Sequence, residues 1–167
     1  MHWLRRDDET TDSQAESLDP IRIFTHELEL VGFVAPSGQR VTDMLLRGQD
    51  LAFLPDGADP APANWVSVSA ADVLIVIPPP LPARSGWRPS RQTRQVFVRL
   101  GPYRVIGSAH LPPEVEHDGD LRARLPFLPL TSASIVRDGG EGPDEVEVAI
   151  ANLAESVEHR ILAESHA

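Results

Sequence analysis

Residues 21–32, Ile-Arg-Ile-Phe-Thr-His-Glu-Leu-Glu-Leu-Val-Gly, set the pattern from which the fold of this chain is predicted. Ile21 and Ile23 fall on alternate positions, a polar pair follows at His26-Glu27, and a second apolar run leads into Gly32. Alternation of this kind is typical of a half-buried strand. The stretch therefore predicts two strands joined by a tight turn.

The residues after this hairpin complete a small unit. Thr42 or Asp43 is suited to cap a short helix, and Gly48 is suited to its left-handed stop position. The local pattern predicts a turn at residues 36–38, this helix at 41–48, and strands at 53–55, 65–68 and 73–77. We therefore expect a first small β unit.

The same pattern returns in the second half of the chain at a nearly constant spacing. An apolar alternation over residues 96–106 leads into Gly107, as the first run leads into Gly32. Phe127-Leu128-Pro129 repeats Phe53-Leu54-Pro55. Because the matches keep their order and the spacing drifts only inside loops, where insertions cost little, the sequence predicts a tandem duplication. The shared structural positions are Gly32, Phe53 and Pro55 in the first copy, and Gly107, Phe127 and Pro129 in the second.

The end of the chain favours two different predictions. By analogy with residues 73–77 it would close the second unit as a strand. By its own pattern, an apolar stripe of Leu153, Val157 and Ile161 behind a polar start favours a helix, which is the structure we expect. The expected organisation is a disordered acidic tail at 1–20, a first β unit at 21–77, a Pro/Arg-rich linker at 78–95, a second β unit with a C-terminal helix at 96–160, and a tail at 161–167.

Composition limits the classes of function. The chain has 167 residues, a formal net charge of −10 and no cysteine, which excludes disulfides and thiolate metal sites. The negative charge makes nucleic acid an unlikely partner, because nucleic-acid binders usually present a basic face. No apolar run is long enough to span a bilayer, and the N-terminal residues lack the apolar core of a signal peptide. We therefore expect a cytoplasmic protein that does not associate with a membrane.

Arg40 and Asp43 form the most motif-like stretch of the first copy, Arg-Val-Thr-Asp. The two side chains could pair in a ligand pocket. Alternatively they mark a helix N-terminus, where the helix dipole favours an acidic side chain. The second copy keeps an aspartate but not the arginine, which favours the structural interpretation.

His110 and His117 flank a Pro-Pro turn and have several carboxylates nearby in the sequence. Imidazole and carboxylate together could hold a divalent metal ion. Their spacing matches no known ligand motif, so these two residues are weak candidates and a solvated loop is the simpler interpretation. No cofactor is predicted.

The predicted linker contains basic side chains without an acid among them. Such a segment could contact an acidic protein surface or nucleic acid, or it could fold back onto the acidic segments of its own chain. The possible contact surface consists of Arg84, Trp87, Arg88, Arg91 and Arg94.

The motifs Arg40-Val41-Thr42-Asp43-x-Leu45 and Phe127-Leu128-Pro129-Leu130-Thr131-x-Ala133, with Gly107, resemble an uncharacterised bacterial domain family. Its members carry a strand ending in Gly, a Pro turn, Arg-Leu-Ser-Asp-x-Leu, Phe-Ile-Pro-Leu-Thr-x-Ala and two closing strands. The resemblance implies a fold and no chemistry. The order of predicted strands also resembles the Sm-like small β-barrel, whose members form rings and bind RNA.

Together these patterns predict a mostly β protein of two tandem small Sm-like or SH3-like barrel units with short helices. The sequence contains no phosphate-binding glycine loop, nucleophile elbow or zinc-binding helix. We therefore expect a non-enzymatic binding or scaffolding module that acts through protein contacts and could form a homo-oligomer. The alternatives are an Sm-like nucleic-acid-binding protein that uses the Arg-rich linker and, more weakly, a metal-dependent enzyme.

Overall fold

The computed structural model describes residues 17–80 and 92–163, and within these ranges the chain is mostly β, with two short α-helices. The first half contains β1 (Asp19–Phe24), β2 (Glu29–Val34), α1 (Val41–Leu46), β3 (Leu51–Pro55), β4 (Val66–Val68) and β5 (Ile75–Ile77). The second half contains β6 (Gln92–Leu100), β7 (Tyr103–Leu111), α2 (Asp118–Arg124), β8 (Phe127–Arg137), β9 (Asp144–Asn152) and β10 (Glu158–Ile161).

The ten strands form one sheet in the order β10-β6-β7-β8-β9-β5-β1-β2-β3-β4. Every neighbouring pair is antiparallel. The five strands of the first half follow the order β5-β1-β2-β3-β4, and those of the second half follow the corresponding order β10-β6-β7-β8-β9. The halves are joined where β5 pairs with β9, with Ile75 opposite Ala151 and Val76 opposite Ile150.

A glycine lies at the same place in each half, in the second strand beside the third. A Cβ on Gly32 would overlap the Leu54 carbonyl oxygen and lie 2.7 Å from the Phe53 ring. A Cβ on Gly107 would lie 2.9 Å from the Leu130 Cβ. Both positions require glycine because the neighbouring strand approaches too closely for any side chain.

The apolar residues form two separate cores, one for each half. The first core is built around Ile21, Ile23, Leu45, Phe53 and Val76. The second core is built mainly from alternate residues of β6, β7 and β8, with Leu121 of α2 packed against them. Successive side chains of a strand point to opposite faces, so each strand gives every second residue to its core.

The two cores exchange residues where β5 meets β9. Val76 of β5 packs in the first core, whereas its neighbour Ile75 packs in the second. In return, Ile150 of β9 and Phe127 of β8 pack in the first core. These strands are therefore buried on both faces, and each half completes the core of the other.

The structure corrects the prediction for the end of the chain. A 3-10 turn at Leu153–Glu155 precedes strand β10, and no α-helix occupies the described residues after Asn152. Leu153 is buried in the turn, and Ile161 packs against the second core from a strand. The apolar stripe at these positions predicted a helix because a local pattern contains no information about long-range contacts. The contact that decides the structure here is the pairing of β10 with β6.

Three of the expected segment boundaries fall within strands. The expected tail at 1–20 overlaps β1, which begins at Asp19, and residues 1–16 lie outside the described part. The expected linker at 78–95 overlaps β6, which begins at Gln92, and residues 81–91 are not described. The expected tail at 161–167 includes Ile161, the last residue of β10, and residues 164–167 are not described.

The two Phe-Leu-Pro motifs do not occupy matching places in the sheet. Phe53 packs beside Gly32, but the residue that packs beside Gly107 is Leu130, three residues after Phe127. Phe53 lies opposite Val66 of β4, three residues before the capping residue Ser69, whereas Phe127 lies opposite the capping residue Asn152 itself. Aligning the two halves on Phe-Leu-Pro therefore shifts β8 by three residues from the register that the strands adopt.

Candidate protein-interaction surface

Most of the predicted contact surface lies outside the described residues, and this holds for Arg84, Trp87, Arg88 and Arg91. Arg94 lies within strand β6, opposite Ala109, and not in the linker. Its side chain is half-buried, and its Nε atom is buried without a hydrogen-bond partner in the described part of the chain.

The two candidate histidines belong to separate local structures. The Nδ1 atom of His110 lies 3.2 Å from the Thr93 hydroxyl on the neighbouring strand. His117 precedes helix α2, and its backbone N–H donates to the Asp120 carboxylate at 3.2 Å. Within residues 17–80 and 92–163, no group of three or more His, Asp or Glu side chains is placed to hold a metal ion.

Arg40 and Asp43 lie at the start of helix α1. The Arg40 carbonyl accepts from the backbone N–H groups of Asp43 at 3.0 Å and Met44 at 3.1 Å. Arg40 is therefore the residue that precedes the first turn, in place of the predicted Thr42 or Asp43, while Gly48 has a left-handed φ of 67°. The described residues contain no ion pair between Arg40 and Asp43.

A network around Arg22 connects the two halves. Its Nε atom donates to Glu29 at 2.7 Å, and its Nη2 atom donates to Asp144 of β9 at 2.6 Å. The guanidinium also lies over the Phe24 ring, 5.3 Å from its centroid. Burial acts to lower the pKa of Arg22, but the hydrogen bonds to Asp144 and Glu29 outweigh it and raise the pKa above its ordinary value. The carboxylates of Glu29 and Asp144 thus largely compensate the positive charge of Arg22.

A pocket of about 580 Å³ opens beside this network, where both halves contribute to its walls. Most of its lining is apolar, from strands β1, β2, β5 and β9 and from the prolines after β5. The apolar residues are Pro20, Ile21, Val31, Phe33, Ile77, Pro78, Pro79, Pro80 and Val148, together with Gly32. Val31 is 50% exposed, a large fraction for a β-branched apolar side chain in the middle of a strand.

Three charged residues complete the pocket: Arg22, Asp56 and Glu147. Asp56 and Glu147 are exposed, and neither has an ion-pair partner among the residues that the structure describes. Since the charge of Arg22 is already matched, the pocket presents a net negative rim around an apolar surface. No sequence motif predicts this pocket, because its residues come from four strands and from the segments after β3 and β5, which only the sheet order brings together.

The described part of the chain contains no helix that is long and apolar enough to cross a membrane. Comparisons with protein-family models, with curated proteins and with solved structures found no significant match to this chain.

Proposed function

We propose that this chain is a non-enzymatic protein-binding module, and that its binding site is the pocket at the junction of the two halves. The observation that carries the proposal is the pocket itself. Its volume of about 580 Å³ lies within the range of ligand sites, and its lining is mostly apolar with a few charged groups. Exposed apolar surface next to polar groups is characteristic of interaction sites.

A tandem duplication of one small barrel-like unit accounts for the place of the pocket. Three features support the duplication: the same strand order in both halves, one core for each half, and a glycine, Gly32 or Gly107, where the third strand approaches the second closely. Under this proposal, edge-to-edge joining of β5 and β9 creates a surface that neither unit has alone.

The chemistry of the pocket favours a peptide that combines an apolar side chain with a basic one. The apolar side chain would be buried against Val31, Ile77 and Val148. A Lys or Arg beside it would lie near Asp56 and Glu147, whose charges lack partners among the described residues. Complementary charge of this kind mainly improves specificity and the rate of association.

Fluorescence anisotropy with two labelled peptides tests the proposal on the full chain. The probes are Arg-Leu-Pro-Leu-Arg and its acidic counterpart Glu-Leu-Pro-Leu-Glu. We expect the basic peptide to bind, and Val31→Asn to weaken binding at least about tenfold, because an uncharged polar amide would be placed in the apolar contact. Asp56→Asn with Glu147→Gln should remove the preference for the basic peptide.

Ile106→Asn is the matched control, since Ile106 follows the second-strand pattern of the other half, is 43% exposed and does not line the pocket. Its binding should equal that of the unmodified chain. Equal binding of both peptides, or binding that Val31→Asn leaves unchanged, would contradict the proposed site.

A further inference from the structure

We propose that β4 and β10, the two strands at the ends of the described sheet, correspond to the strands of the internal junction, and that their polar side chains prevent head-to-tail pairing with a second copy of the chain. The inference rests on the duplication proposed above but not on the peptide pocket. Each half contributes one strand to the β5–β9 junction, and β10 and β4 are the corresponding strands that remain at the ends of the sheet.

Strand β10 corresponds to β5 residue by residue. Each strand follows a 3-10 turn that is capped by a side chain, Ser69 before β5 and Asn152 before β10. The backbone N–H of Leu74 donates to the Phe24 carbonyl, and that of Val157 donates to the Arg99 carbonyl. The pairing that follows places Glu158 where Ile75 lies, His159 where Val76 lies and Arg160 where Ile77 lies.

The side chains at these matched positions differ sharply in burial and polarity. Leu74, Ile75 and Val76 are fully buried at the internal junction. Val157 stays apolar but is 73% exposed, and the next three residues of β10 are charged or titratable. Glu158 and Arg160 pair with each other at 2.6 Å, and the Arg160 guanidinium also lies over the Phe97 ring of β6, 5.5 Å from its centroid.

The opposite edge shows the same change. Counting from the capped turns, Ser67 of β4 matches Ile150 of β9, and Asp50 matches Phe127. Ile150 and Phe127 pack in the core of the other half, whereas Ser67 and Asp50 are exposed, with the Ser67 hydroxyl donating to the Asp50 carboxylate at 3.3 Å. In both β10 and β4, polar residues therefore occupy the positions at which the internal junction has buried apolar residues.

Helix α2 provides a hydrogen-bond acceptor for one backbone N–H group of β10. The Asp118 carboxylate accepts from the backbone N–H of Ile161 at 2.6 Å, and the Asp118 carbonyl lies 3.0 Å from Nε2 of His159. At the place that matches Ile161, the first half has Pro78, which has no N–H. An edge donor that would otherwise be open to another strand is thus satisfied within the molecule.

Pairing β10 of one copy with β4 of the next would place Glu158 where Ile75 is buried among apolar side chains. A carboxylate buried there without a compensating partner is strongly unfavourable. Charged side chains and covered donors are the usual means by which edge strands avoid such pairing. A homo-oligomer, which the sequence allows, is therefore not expected through these edges.

Two complementary variants of the full chain test the inference. The β10 variant carries Glu158→Ile, His159→Val and Arg160→Ile, and the β4 variant carries Asp50→Phe and Ser67→Ile. We expect the unmodified chain and each variant alone to be monomers near 18.3 kDa in analytical ultracentrifugation. An equimolar mixture of the two variants should give a complex of twice that mass, because one apolar β10 can then meet one apolar β4.

A control variant with Thr93→Val, Arg104→Ile and Glu145→Ile adds apolar residues at exposed positions of strands that already have neighbours on both sides. It should not associate with either edge variant. Circular dichroism checks that each protein is folded, and a chain carrying only His159→Val and Ser67→Ile provides a milder variant that should self-associate weakly. An unmodified chain that already oligomerises and is made monomeric by Val157→Asp, or folded edge variants that stay monomeric when mixed, would overturn the inference.

Discussion

The Nη2 atom of Arg22 in β1 donates a hydrogen bond of 2.6 Å to the carboxylate of Asp144 in β9, so one side chain ties the first half to the second. The same guanidinium donates a hydrogen bond to Glu29 and lies over the Phe24 ring. This contact lies directly beside the proposed binding pocket. The junction is therefore both the mechanical link between the halves and the wall of the site.

Replacing Arg22 by Met should lower the free energy of unfolding by about 1 kcal/mol, since the ion pairs are partly solvent-exposed and their worth is reduced by screening. The raised pKa of Arg22 means that its contribution is present below the unfolded pKa and is lost only as the pH rises through the higher folded pKa. Both lie far above neutral pH, so Arg22 itself should add no pH dependence between about pH 5 and 9.

Urea unfolding of Arg22→Met at several pH values measures this effect. Arg104→Met is the matched control, because Arg104 forms a longer ion pair of 3.3 Å with Asp138 within the second half alone. An equal loss of stability in both variants would show that Arg22 does not hold the junction.

Gly32→Ala should be among the most destabilising single changes in the chain, by about 3 kcal/mol or more, because the added Cβ overlaps a backbone carbonyl of β3 that cannot move independently. Gly107→Ala should cost about 1–3 kcal/mol, since its closest neighbours are side-chain carbons. Gly119→Ala in helix α2 meets no atom within 4 Å and should be neutral or stabilising. Chemical unfolding of the three variants gives the order, and a Gly32→Ala protein as stable as Gly119→Ala would contradict the close approach of β2 and β3.

Leu74→Ala and Val157→Ala are changes at matched positions whose effects should differ widely. Leu74 is fully buried, so its truncation should cost about 2–5 kcal/mol, whereas Val157 is 73% exposed and its truncation should cost less than about 0.5 kcal/mol. Because Leu74 packs in the core of the other half, the Leu74→Ala protein should still unfold in one transition at lower temperature. Calorimetry that resolves two transitions, with only one of them shifted, would show that the halves unfold independently.

The local pattern predicted what depends on neighbours in the sequence. The hairpin around His26, the helix before Gly48 and the strands that flank Ala70 lie where alternation and turn residues placed them. The register of the second half was predicted less well, because Phe127-Leu128-Pro129 repeats the letters of an earlier motif without its place in the sheet.

What the sequence could not predict is the result of long-range pairing. The strand at Glu158–Ile161 exists because β6 has an open edge, and the pocket exists because β5 pairs with β9. Val31 and Val148 are far apart in the sequence and carry no shared motif, so no spacing rule brings them together.

The nucleic-acid alternative leads to a distinct expectation. With a net charge of −10, the chain should not shift single-stranded RNA in a gel at low salt. Arg84, Arg88 and Arg91, replaced together by Gln, provide the specific comparison. A shift at low salt that weakens as salt is added and is lost in this variant would favour the Arg-rich segment as a nucleic-acid contact.

Nuclear magnetic resonance of the isotopically labelled chain, titrated with the Arg-Leu-Pro-Leu-Arg peptide, tests the central claim most directly. The account predicts that signals of Val31, Ile77 and Val148, from three separate strands, shift together and fit one dissociation constant. Signals around Ile106 should stay unchanged. Shifts centred away from these three residues, or none at peptide concentrations up to the millimolar range, would contradict a binding site at the junction of the two halves.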